Sequence, residues 1–178
     1  MPSGFGLLLI FGIGVTTGLR CMTAPAVVAW AAHLGWINLS GSRVAFMGSI
    51  WAAALFTLLA LTEYVVDQLP STAARTTAGP LTTRIVVGLL TGACLGIGEG
   101  ASLWVGALIG ALGAIAGAFG GYQARVRLVR GLDLPDAAVA IPEDLVAVGL
   151  GLLCCLQIPK FHGAVTAVSA HIQARGWL

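Results

Sequence analysis

The chain has 178 residues, of which 58% are hydrophobic and only 9% charged, with a mean hydropathy of +0.96 and a net charge of +2. Soluble domains carry about 25% charged residues, and a chain this short could not hide so much apolar surface from water, whereas a bilayer removes the need. The small net charge and the lack of a basic run interleaved with aromatics exclude nucleic acid as partner.

Apolar stretches fall at 4–19, 22–38, 44–66, 84–98, 101–124 and 138–158. The first resembles a secretory signal, but no positive n-region precedes it: the first basic residue is Arg20. It reads as a retained helix. As one helix, residues 4–38 would span roughly 52 Å, against a hydrocarbon core about 30 Å thick. That stretch must break, and Gly18-Leu19-Arg20 followed by Pro25 is the place. Residues 84–124 must break too, at Gly96-Ile97-Gly98-Glu99-Gly100.

The expected fold is therefore an all-α integral membrane protein of about six hydrophobic segments, in which the broken pairs either cross or re-enter. Residues 1–158 form the polytopic transmembrane domain and 159–178 an amphipathic or flexible tail. Each half reads as a broken pair and a single helix. Thr17-Gly18-Leu19-Arg20-Cys21 echoes Thr91-Gly92-Ala93-Cys94. Two tandem halves with three segments each would be inverted, a plan common in secondary transporters.

Parity places the charges. With the N-terminus on one face, the connections 67–83 and 125–137 lie on the other, with Arg75, Arg84, Arg125, Arg127 and Arg130. Arg43, Lys160 and Arg175 stay on the first. The positive-inside rule makes the richer face cytoplasmic. Glu63 and Asp67, four apart, end the third segment there, and Glu143 and Asp144 begin the last. An acid inside an apolar run, as in Leu61-Thr62-Glu63-Tyr64, ordinarily has a partner and a task. Acids just after Pro142 also suit a helix N-terminus for purely structural reasons. Arg20 and Glu99 each sit at a break.

The segment 101–124 carries Gly106, Gly110, Gly113, Gly117 and Gly121, a smooth stripe for close helix packing within the chain or against a second copy. Cys21, Cys94, Cys154 and Cys155 read as small buried apolar residues. Trp30, Trp36, Trp51, Trp104 and Trp177 read as interface anchors. No cofactor motif is visible, and His33, His162 and His171 make no haem pair.

The run Gly18-Leu19-Arg20-Cys21-Met22-Thr23-Ala24-Pro25-Ala26 resembles the N-terminal signature of a group of small bacterial membrane proteins, catalogued as domain of unknown function 4126. Glu63-Tyr64-Val65-Val66-Asp67-Gln68-Leu69-Pro70-Ser71-Thr72 is similar to its second block, followed by Arg75-Thr76 and Arg84, and Glu143-Asp144-Leu145-Val146-Ala147 to its third. The resemblance covers roughly residues 8–153. Many members have Lys where Gln68 stands, so that charge is missing here. The resemblance implies site positions and no substrate.

Three functions fit these residues. A small transporter or channel for an ion or charged solute would use Arg20, Glu63, Asp67, Arg75, Arg84, Glu99, Glu143 and Asp144. A lipid-phosphate enzyme or carrier would use the arginines on phosphate and the acids on a divalent cation, yet no nucleophile with a partnered base is visible. A structural subunit would use the glycine stripe to join a homo-oligomer or larger membrane complex. The first is the favoured expectation, with the bilayer and a small ion or solute as partners.

Overall fold

Ser3 accepts the amide N–H of Gly6 and starts helix α1, Gly4–Leu19. The helix stops because Pro25 has no N–H for a continuous ladder and its ring would meet the carbonyl four residues back, at Cys21. Arg20 therefore turns extended, and a new helix α2, Thr23–His33, takes Pro25 into its first turn. Gly35, at a positive φ of 77°, closes α2, with the N–H of Trp36 reaching back to Ala31. A short 3₁₀ turn at Ala45–Gly48 leads into α3, Ile50–Val66, whose N-cap is Ser49. Helix α4 is Ala78–Gly98, α5 is Leu103–Leu132 and α6 is Ile141–Ile158. The computed structural model describes residues 3–67, 77–132 and 141–158.

Among the described residues the chain is all-helical, with no strand. Three helices are long and apolar enough to cross a membrane: α4, α5 over Leu103–Val129, and α6. Helices α1 and α3 are apolar but shorter, and α2 has only 11 residues. The outward surface is apolar as well. Trp51, Leu55, Leu58, Leu61 and Val65 are exposed along α3, and Trp104, Leu108, Leu112 and Phe119 along α5. Such stripes would be a liability in water and are what a lipid-facing helix shows. The membrane character expected from composition is present.

Helix α5 packs against both α1 and α4, which also meet each other, and the glycines set the distance. A Cβ on Gly106 or Gly110 would sit 2.4 or 2.3 Å from the carbonyl oxygens of Gly92 and Gly88 on α4. A Cβ on Gly113 or Gly117 would sit 2.3 Å from those of Phe11 and Val15 on α1. One stripe thus serves two partner helices, both in the same chain. The pairings run antiparallel for α4 and parallel for α1. Helix α6 lies antiparallel along α1, with Gly151 near Ile13 and Thr16 and Cys154 near Gly12. Helix α3 lies antiparallel to α2, joined by Trp30 Nε1 donating to Thr57. All four cysteines are buried.

Two boundaries differ from the sequence expectation. The connection expected over 67–83 is already helical from Ala78, because Pro80 is tolerated in a first turn. The connection expected over 125–137 is helical as far as Leu132, so Arg125 and Arg127 stand on α5 rather than in a loop. Gln-Ala-Arg-Val-Arg-Leu are adequate helix formers, and the end of an apolar run does not oblige a helix to end. The break at Gly96–Gly100 falls where expected, with Gly100 at a φ of 69° that glycine adopts at no steric cost. The tail 159–178, with Lys160, His162, His171, Arg175 and Trp177, lies outside the described residues.

Candidate functional site

The α1–α2 break puts Arg20 inside the molecule, at 1% exposure. Its Nη1 donates to Asp67 Oδ2 at the end of α3, 2.5 Å away, and its Nη2 lies 2.5 Å from Asp144 Oδ1 at the start of α6. The guanidinium also stands over the ring of Tyr64, 5.1 Å from its centroid. Such a stack adds about 0.5–2 kcal/mol. One side chain thus ties the break to two other helices.

Glu63 serves the other half of the break. Its Oε1 accepts the amide N–H of Cys21 at 2.9 Å and its Oε2 that of Met22 at 2.8 Å. These donors precede the first turn of α2, where backbone N–H groups have no intrahelical acceptor and the helix dipole favours an anion. Arg84 Nη2 lies 3.8 Å from the same Glu63 Oε1, and Arg84 Nε donates to the carbonyl of Gly18 at 3.1 Å. That carbonyl is one of the acceptors that α1 leaves open when it stops. Tyr64 adds a hydroxyl contact of 3.1 Å to Thr23.

Arg84 is set back from the end of its helix: Ala78, where α4 begins, stands about 9 Å along the axis from it. Glu143 pairs with Arg125 at 3.7 Å. Of the candidates from sequence, Arg20, Glu63, Asp67, Arg84 and Asp144 come together directly, Glu143 adjoins them, and Arg75 lies outside the described residues.

Glu99 does not join them. It caps α4 at the opposite end of the bundle and is buried at 6% exposure beside the start of α1. Its Oε2 would be 2.4 Å from a Cβ on Gly6. Gly6→Ala is therefore expected to displace the carboxylate and lower the melting temperature of the purified protein. Gly4→Ala, with nothing within 4 Å, is expected to leave it where it is. Equal melting of the two variants would show that the Glu99 carboxylate moves aside without cost.

Sequence reasoning missed several contributors. Tyr64 was legible only as the neighbour of Glu63, and Arg125 only as a topology signal. The amides of Cys21 and Met22 have no side-chain signature at all. One turn before Arg20, Thr17 Oγ1 and Thr91 Oγ1 meet at 3.2 Å, both fully buried. These are the matching residues of the two echoing segments. Among the described residues no three His, Cys, Asp or Glu side chains gather as a metal-binding group.

No family model matches the chain, and neither a curated protein nor a solved structure does. The site therefore stands on its own geometry.

Proposed function

We propose that this is a multi-pass protein of a bacterial cytoplasmic membrane that moves an ion or small charged solute, with the Arg20 cluster as its binding site. The observation that carries the reading is a permanently charged side chain, almost fully buried, at the interruption between two short apolar helices. A guanidinium at such a place is expensive and marks a pathway or ligand site. Irregular backbone at membrane depth has to be lined by protein or by a cavity. On this reading α1 and α2 form a re-entrant hairpin, since 16 and 11 residues reach only about 24 and 17 Å. The bilayer surrounds the outward apolar stripes, and the end bearing the Arg20 cluster faces the cytoplasm.

The inverted repeat belongs to the same proposal. Helices α1 and α4 run antiparallel, and Thr17 meets its counterpart Thr91 between them. Two equivalent residues touch when a two-fold axis passes between them. The blocks that resemble domain of unknown function 4126 include Arg20, Glu63, Asp67, Arg84 and Asp144, the residues that meet in this cluster.

A structural role is the second reading. What favours it is that the buried charges already satisfy one another, as a lock between helices would. The glycine stripe gives no support to a second copy as partner, because Gly106, Gly110, Gly113 and Gly117 are covered within the chain. Solute uptake into liposomes carrying the purified protein decides between the two. Transport predicts uptake above protein-free liposomes, abolished by Arg20→Ala and sharply reduced by Glu63→Gln in protein that still elutes as a single folded species. A panel of small cations and anions that all stay at the protein-free rate would remove the transport reading.

A further inference from the structure

The geometry points to a small soluble oxyanion as the ligand of the Arg20 cluster. This rests on the transport reading for its biological meaning but not for its test. The arginines are the innermost members of the cluster, Arg20 at 1% and Arg84 at 6% exposure. The carboxylates around them are less deeply buried: Glu63 at 13%, Asp67 at 16% and Asp144 at 26%. The innermost charges of the cluster are therefore positive.

The bonding pattern leaves room for an exchange. Asp67 and Asp144 each meet a different terminal nitrogen of Arg20, from different helices. Neither forms the two-bond fork that a guanidinium offers an oxyanion. The Nε of Arg20 is buried and has no acceptor among the described residues. Arg84 reaches Glu63 at only 3.8 Å, longer than a charge-assisted hydrogen bond. Glu63 in turn occupies two backbone N–H donors that would receive an oxyanion equally well. The chain's own carboxylates thus stand where a ligand's oxygens would. The groups facing these carboxylates are Tyr64 on α3, Arg84 on α4, Arg125 with Glu143, and Cys21 at the break.

An oxyanion can be a free solute or a lipid headgroup, and the experiment separates them. The purified full-length protein is melted in detergent with sulfate, inorganic phosphate or a short-chain phosphatidic acid, with sodium chloride matching ionic strength. Sulfate or phosphate is expected to raise the melting temperature saturably. Arg20→Lys and Arg84→Lys, which keep the charge but lose the fork, are expected to weaken this about tenfold or more. Protection by phosphatidic acid alone would give the seat to a lipid headgroup and overturn the soluble ligand. Protection by cations alone, or protection that both lysine variants retain in full, would overturn the oxyanion. Oxyanion binding without uptake into liposomes would sink the transport reading and leave the seat. Cation uptake without oxyanion binding would do the reverse.

Discussion

Replacing Arg20 by Met is expected to destabilise the folded protein by about 3–5 kcal/mol, the usual cost of removing one partner from a buried ion pair. The volume is nearly kept, so the loss is electrostatic rather than a cavity. Asp67 and Asp144 each lose their guanidinium contact while remaining partly buried, and Tyr64 loses the cation over its ring. Arg20→Lys should cost less, because a single ammonium can still face one of the acids. Combining Arg20→Met with Asp67→Asn and Asp144→Asn should recover part of the loss, since neutral amides are far cheaper to bury than carboxylates. Thermal unfolding in one detergent at one pH measures the set. Arg20→Met melting within about 0.5 kcal/mol of the parent would show that the cluster carries little stability, and that the 1% exposure of Arg20 is sustained by packing alone.

The sequence made the helix interruptions readable because their causes are local. Pro25 forbids a continuous ladder at Cys21, and Gly100 accepts a positive φ, wherever the rest of the chain goes. The outer limits of α4 and α5 were misjudged for the converse reason. The apolar pattern marks where lipid ends, and a helix can continue past that point on polar residues, as α5 does from Gln123 to Leu132. Parity gathered Glu63, Asp67, Glu143 and Asp144 at one end with no knowledge of pairing. Which acid meets which arginine was not legible, because Asp67 and Asp144 reach Arg20 from helices far apart in the chain. Glu99 and Arg20 look alike in sequence, each a charge at a glycine-rich break. They separate only because α1 and α4 run in opposite directions, which sends the two breaks to opposite ends. The glycine stripe was visible as a stripe. Its division between α4 and α1 follows from the three-dimensional order of the helices, with α5 against both partners.

That division supplies the other large expected effect. Gly110→Ala should destabilise the protein by about 1–3 kcal/mol, in the range of overpacked cores, and Gly110→Leu by more. The added Cβ would lie 2.3 Å from the Gly88 oxygen and 2.7 Å from the Gly92 Cα. Both obstacles are backbone, so no side chain can swing away, and α4 and α5 must separate. From the other side, the Gly110 carbonyl oxygen lies 2.2 Å from where a Cβ on Gly14 would be. Gly110 therefore sits where α1, α4 and α5 are all in close approach, and moving α4 there disturbs α1 as well. Gly120→Ala is the matched comparison on the same helix. Nothing lies within 4 Å of its Cβ, and alanine is the better helix former by about 1 kcal/mol, so that variant should melt no lower than the parent and could melt higher. The two substitutions are chemically identical and ten residues apart, so opposite signs in one unfolding assay would isolate interhelical contact from helix propensity. If both variants rise together, the three helices are not in backbone contact at Gly110. The route by which the Arg20 end and the Glu99 end are held at a fixed separation would then have to run elsewhere than through this three-helix centre.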